Sequence, residues 1–148
     1  MTIRNDTYTM YKGKEYRILY HDGMAKLVSK NAEDLEKGFV EKVYDAKQFK
    51  YTPKQLAEKI YTLIVPPNEV GEVYSIKPYC LYQGYEFFIL REENGHYILS
   101  ESHTVTGGPL IEKFDFKRVG KYEYEKAVKK EDVDLVYEKK TLMPNFFK

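Results

Sequence analysis

The sequence predicts a mainly β protein of two tandem small barrels joined by a continuous strand, with a short helix inserted in the first. Three observations carry that expectation. Shifted by 71 positions, Tyr11, Gly13, Glu15, Ile18 and Leu19 fall on Tyr82, Gly84, Glu86, Ile89 and Leu90, and Tyr16 falls on Phe87. Apolar and charged residues alternate in short aromatic-rich runs, the period expected of half-buried strands. Asp22-Gly23 and Asn94-Gly95 tolerate positive φ and so mark two-residue hairpin turns.

The same shift places Ser29 on Ser100, Glu41-Lys42 on Glu112-Lys113, and Lys50-Tyr51 on Lys121-Tyr122. Beyond them the offset becomes 63, carrying Val65, Val70, Val73-Tyr74 and Lys77 onto Val128, Val133, Val136-Tyr137 and Lys140. A single change of offset indicates a duplication with one insertion, here in the first copy between Tyr51 and Val65.

Each copy opens with an aromatic strand, Glu15-Tyr16-Arg17-Ile18-Leu19-Tyr20 or Glu86-Phe87-Phe88-Ile89-Leu90-Arg91. The hairpin turn follows, then the return strands at 24–29 and 96–100, a polar loop, and a third strand at 39–44 or 110–114. A short acidic-Val step, Glu69-Val70 or Asp132-Val133, leads into the last strand at Val73-Tyr74 or Val136-Tyr137. That succession is the grammar of an SH3-like barrel. Residues 73–90 contain few turn residues, so they read as one strand passing from the first barrel into the second. In the insertion, Thr52-Pro53-Lys54-Gln55 is a helix-start signal, and Leu56, Ile60 and Leu63 give an apolar stripe over about 53–63. Asn31 as cap and Gly38 as stop predict a second short helix between them. The boundaries are 8–77 for the first barrel, 78–141 for the second and 142–148 for a tail. Two Phe in that tail point to folding back onto a barrel, with a dimer contact or a membrane tether as the alternative.

A copy of about 60–70 residues buries only roughly 60% of its unfolded surface, so each leans on further packing. The 43% hydrophobic and 32% charged content is that of a globular chain. Twenty-four basic against 23 acidic residues give a net charge of +1. A dedicated nucleic-acid binder carries a clear basic excess, so nucleic acid is not the expected partner. The lone Cys80 excludes an intramolecular disulfide and reads as a buried thiol. No run reaches the roughly 20 apolar residues of a membrane span, and 1–6 do not resemble a signal peptide, so the expected location is cytoplasmic.

Catalytic groups are sparse. His21 and His96 flank the hairpin turns without ligand partners at metal spacing, and His103 precedes a loop glycine pair. Acidic pairs such as Glu92-Glu93 fall in turns, where nothing shifts their pKa toward acid–base work. The repeated Glu15/Glu86 and Glu41-Lys42/Glu112-Lys113 suit cross-strand ion pairs. The chain is therefore read as a non-enzyme with no cofactor and no metal. What it has in surplus is tyrosine, 15 in all with no Trp. Tyr8, Tyr51, Tyr79, Tyr122 and Tyr124 are candidates for exposed rings, which favour protein recognition. The candidate contact residues are Glu33, Asp34 and Glu36 on the polar loop, Tyr61 in the insertion, and Tyr51, Tyr122 and Tyr124.

With the duplicated Tyr-x-Gly-x-Glu openings and the acidic-Val closings, the chain resembles small Gram-positive immunity proteins, the cytoplasmic antitoxins of polymorphic secreted toxins. That resemblance implies a protein that neutralises a cognate toxin by stoichiometric binding; as to assembly, either a monomer or a homodimer is expected. The neutral charge argues against mimicry of a nuclease's phosphate substrate. The alternative is a tandem SH3-like module for a peptide or RNA, with Lys47-Gln48-Phe49-Lys50-Tyr51 or Phe116-Lys117-Arg118 as its basic aromatic face.

Overall fold

The computed structural model describes residues 3–43, 53, 58–101, 108–120 and 123–148. The fold is mainly β and antiparallel. Chain contacts divide it into two units. The first comprises Thr7–Tyr74 with Leu142–Lys148, and the second Ser75–Thr141 with Met1–Asp6.

The first unit begins with β1 (Asp6–Tyr11), β2 (Lys14–His21) and β3 (Met24–Ser29). Both connecting turns have two residues at positive φ, Lys12-Gly13 and Asp22-Gly23. This backbone twist matches that of the flanking strands. A 3-10 helix, η1 (Ala32–Lys37), then starts where the Asn31 side chain accepts from the Glu33 N–H at 3.0 Å, and stops at Gly38 in the left-handed region. β4 (Val40–Glu41), β5 (Tyr61–Val65) and η2 (Pro67–Glu69) follow. The strand order is β4-β5-β3-β2-β1. Inward residues Tyr11, Tyr16, Ile18, Leu27, Tyr61 and Val65 form the core with Phe39 and Val73.

The second unit is built from β6 (Tyr74–Tyr82), β7 (Tyr85–Glu93), β8 (His96–Glu101), helix α1 (Gly108–Lys113), β9 (Lys117–Arg118), β10 (Tyr124–Lys129), η3 (Lys130–Asp132) and β11 (Leu135–Leu142). Its order is β6-β7-β8-β10-β9, with β11 beside β6. Its core gathers Cys80, Phe87, Ile89, Leu99, Phe114, Phe116 and Val128.

Corresponding contacts recur within each unit. Gly71 N–H donates to Met10 C=O at 2.9 Å, and Asp134 N–H to Leu81 C=O at 2.8 Å. The hydroxyl of Tyr74 donates to Glu15, and that of Tyr137 to Glu86. These glutamates thus anchor tyrosines, and Glu86 adds an ion pair with Lys139 at 2.7 Å. A bulge between Ile89 and Arg91 gives the second unit one extra residue, so after it the offset is 72 and Val28, not Ser29, corresponds to Ser100.

Three expected elements differ. Residues 73–90 are not one strand: Gln83 and Gly84 at positive φ split them into the β6–β7 hairpin. Of the expected helix at 53–63, Pro53 is helical and 54–57 lie outside the described residues, but Tyr61–Val65 is a strand. There, Tyr61 and Val65 are buried and Ile64 is exposed, a period-2 pattern that wins once β3 offers a pairing edge. Residues 110–113 are helical, and the strand that corresponds to β4 is Lys117–Arg118. Glu112-Lys113 and Glu41-Lys42 are therefore not equivalent.

Candidate functional site

Among the described residues of the first unit Asp34 is the most buried charge, 1% exposed on the inner side of η1. Four side chains converge on its carboxylate. The hydroxyls of Ser29 and Tyr16 donate at 2.5 and 2.6 Å, the Lys14 ammonium at 3.0 and 3.2 Å, and Lys37 stands at 3.7 Å. Burial alone would push this carboxyl up. The hydrogen bonds from Ser29, Tyr16 and Lys14, with the charge of Lys14, outweigh it and hold the group at about 2. Burial and the Asp34 carboxylate push the Tyr16 phenol well above its ordinary range, so it stays a donor. A carboxylate so fully satisfied is a clamp that fixes η1 to β2 and β3.

The outer face of the same sheet is where the first unit is unusual. Antiparallel register sets Val40, Thr62, Val28, Arg17 and Tyr8 in one row across β4, β5, β3, β2 and β1. The adjacent row is Ile64, Lys26 and Leu19. Side chains directly opposite one another share a face. Val40 is 62% exposed, Ile64 46% and Leu19 39%, so this face presents apolar side chains on three strands around Lys26. Leu35 on η1 is also exposed.

In the second unit the corresponding positions carry other chemistry. Pairing of β9 with β10 puts Lys117 in the place of Val40. The helix-end hydrogen bonds Gly38 N–H to Leu35 C=O and Asp115 N–H to Glu112 C=O put Glu112 in the place of Leu35. Tyr79 and Ile98, the counterparts of Tyr8 and Lys26, are buried, and the Tyr79 ring stacks on Tyr137 at 6.3 Å.

Of the predicted contact residues, Glu33 and Glu36 are exposed on η1 and Tyr124 is half-buried on β10. Asp34 and Tyr61 are corrections: both are buried, Asp34 by its clamp and Tyr61 by the inward pleat of β5. Tyr51 and Tyr122 lie outside the described residues, as do His103 and 47–51. Tyr79, expected exposed, is core. Missed by sequence reading were Leu19, Val40 and Ile64. The available signal was an apolar residue on the polar phase of each strand, legible only once the phase was known. Cys80 is a buried free thiol, pushed up to about 12 chiefly by burial. Among the described residues no cluster of His, Cys, Asp or Glu could hold a metal ion, and no helix is long and apolar enough to cross a membrane.

Two units with one succession of strands and short helices, one bearing an exposed apolar sheet face, define a duplicated β protein with a candidate interaction surface. The chain belongs to the family described as uncharacterised conserved protein UCP033725, which matches residues 3–145. No curated protein and no solved structure matches it.

Proposed function

We propose that this protein is a non-enzymatic immunity protein of the cytoplasm, built of tandem SH3-like units, that neutralises a cognate protein toxin by stoichiometric binding through its first unit. The observation that carries the reading is the outer sheet face: Leu19, Val40 and Ile64 stand exposed on three strands. An apolar cluster with polar neighbours is the composition of an interface core and rim. The Asp34 clamp supports it, because a fixed η1 presents Leu35, Glu33 and Glu36 without an ordering cost on binding. The SH3-like assignment is supported by the 3-10 turns η2 and η3 that precede β6 and β11. The RNA alternative is less favoured, since the Phe116 ring, the aromatic member of its expected Phe116-Lys117-Arg118 face, is buried.

The test is co-expression with candidate toxins encoded by the neighbouring reading frames, read as growth rescue and as a 1:1 complex on size-exclusion chromatography. Ile64→Glu with Val40→Glu places charge in the interface core, and rescue and complex are both expected to disappear. Ala127→Glu, at the corresponding position of the second unit, is expected to leave them intact. A complex indifferent to the first pair, or the absence of any complex, overturns the proposal.

A further inference from the structure

Residues 142–148 pack on the first unit, although β11, the strand that delivers them, belongs to the second. Pro144 removes a ladder donor, and the segment then closes on itself, with Phe146 N–H donating to Met143 C=O at 3.2 Å and Lys148 N–H to Asn145 C=O at 3.1 Å. Met143 N–H donates outward to Val73 C=O at 2.8 Å. The remaining attachment is side-chain burial: Met143, Phe146 and Phe147 pack against the core that contains Tyr11, Ile18, Val65 and Val73. The Phe146 ring meets Tyr20 edge-on at 6.4 Å. A groove of about 300 Å³ persists beside the segment, lined by Pro67, Gly71 and Val73 on one side and Met143, Pro144 and Phe147 on the other.

A compact turn, attached mainly by three partly buried apolar side chains and flanked by unfilled space, has little holding it beyond those side chains. We propose that residues 142–148 form a releasable strap that closes the core of the first unit, and that its opening exposes this core while the second unit stays folded. The proposal stands whether or not the outer sheet face binds a toxin. Local opening of this kind is expected of a segment held by one outward backbone hydrogen bond and a few side chains, and it is read by amide exchange.

The experiment is native-state hydrogen exchange on the full-length Phe146→Ala/Phe147→Ala protein. Amides of β2, β3 and β5 are expected to lose protection by on the order of tenfold or more, because the core loses two aromatic neighbours. Amides of β7 and β8 are expected to keep theirs. If the double variant does not fold, Met143→Ala and Phe147→Leu, read at the same amides, give a smaller loss of the same distribution. Unchanged protection in the first unit, or an equal loss in both units, overturns the proposal.

Discussion

The two units surround corresponding aromatic rings with opposite chemistry. Tyr16 meets Phe39 at 5.0 Å and 30°, and its counterpart Phe87 meets Phe116 at 5.5 Å and 32°. Around Tyr16 stand Asp34, Lys14 and Lys37, with both ammonium groups over the ring at 5.2 and 5.7 Å. Around Phe87 the same places hold Ile111, Tyr85 and Phe114, and Phe114 lies edge-on to both rings at 5.6 Å. One hydroxyl separates the two solutions: Tyr16 has a donor that a buried carboxylate can satisfy, and Phe87 has none. A buried ion cluster contributes little net stability over an apolar equivalent but fixes geometry through directed bonds. The first unit, which displays the candidate interface, has the directed version.

The sharpest way to break this comparison is truncation at the paired positions. Asp34→Ala leaves Lys14, Ser29 and Tyr16 around an emptied site, and is expected to cost about 2–3 kcal/mol. Ile111→Ala removes a half-buried aliphatic group and is expected to cost about 1–2 kcal/mol. Amide exchange in β2–β3 and in β7–β8 reports the two losses separately. Equal losses would mean the clamp is no more than another contact. Transplanting the second solution sharpens the point: Tyr16→Phe should recover roughly 1–2 kcal/mol of the Asp34→Ile loss, as expected of coupled neighbours.

Acid distinguishes the units next. Asp34 titrates at about 2 in the fold against 3.8 ordinarily. A lowered folded pKa means stabilisation that is present above about pH 4 and lost as pH falls through about 2, on the order of 2 kcal/mol in total. In the second unit the lowered carboxyls are Glu92, held by Lys130, and Glu138, held by Arg4. Those pairs are solvent-screened and contribute less. Between pH 4 and 2, protection is expected to fall faster at Ile18 and Leu27 than at Ile89 and Leu99. Alkali is not expected to discriminate, because the Tyr16 and Tyr137 phenols are both raised, one in each unit.

Much of the frame is legible in the sequence. Asp22-Gly23 and Asn94-Gly95 announced their hairpins, and Asn31 and Gly38 bounded η1. The other two hairpins were not legible, because Lys12 and Gln83 are unusual residues at positive φ and disguised their turns as the interior of a motif. At β5 a strong helix-start signal outweighed a five-residue strand, and at α1 the short run Leu110-Ile111-Glu112-Lys113-Phe114 fitted either period. The Asp34 clamp escaped for a different reason. In sequence it stands in an acidic run that reads as solvated, and only β2 folding past η1 brings Lys14 and Tyr16 to it. The outer face escaped because its residues are spread over three strands whose register no local pattern sets.

The smallest expected effect concerns what the units share. Tyr74 donates to Glu15 and Tyr137 to Glu86, each tying a tyrosine that follows the acidic-Val step back to the second strand of its own unit. Removing one hydroxyl costs about 1 kcal/mol when the carboxylate keeps access to water, and both glutamates are only half-buried. Tyr74→Phe and Tyr137→Phe are therefore expected to destabilise their own units by similar amounts. Thermal melts of the two single variants and the double variant check this, with additive losses expected from well-separated sites. A loss confined to one variant would mean that only one of these repeated contacts contributes to stability, leaving the common feature of the units in the rings and the backbone alone.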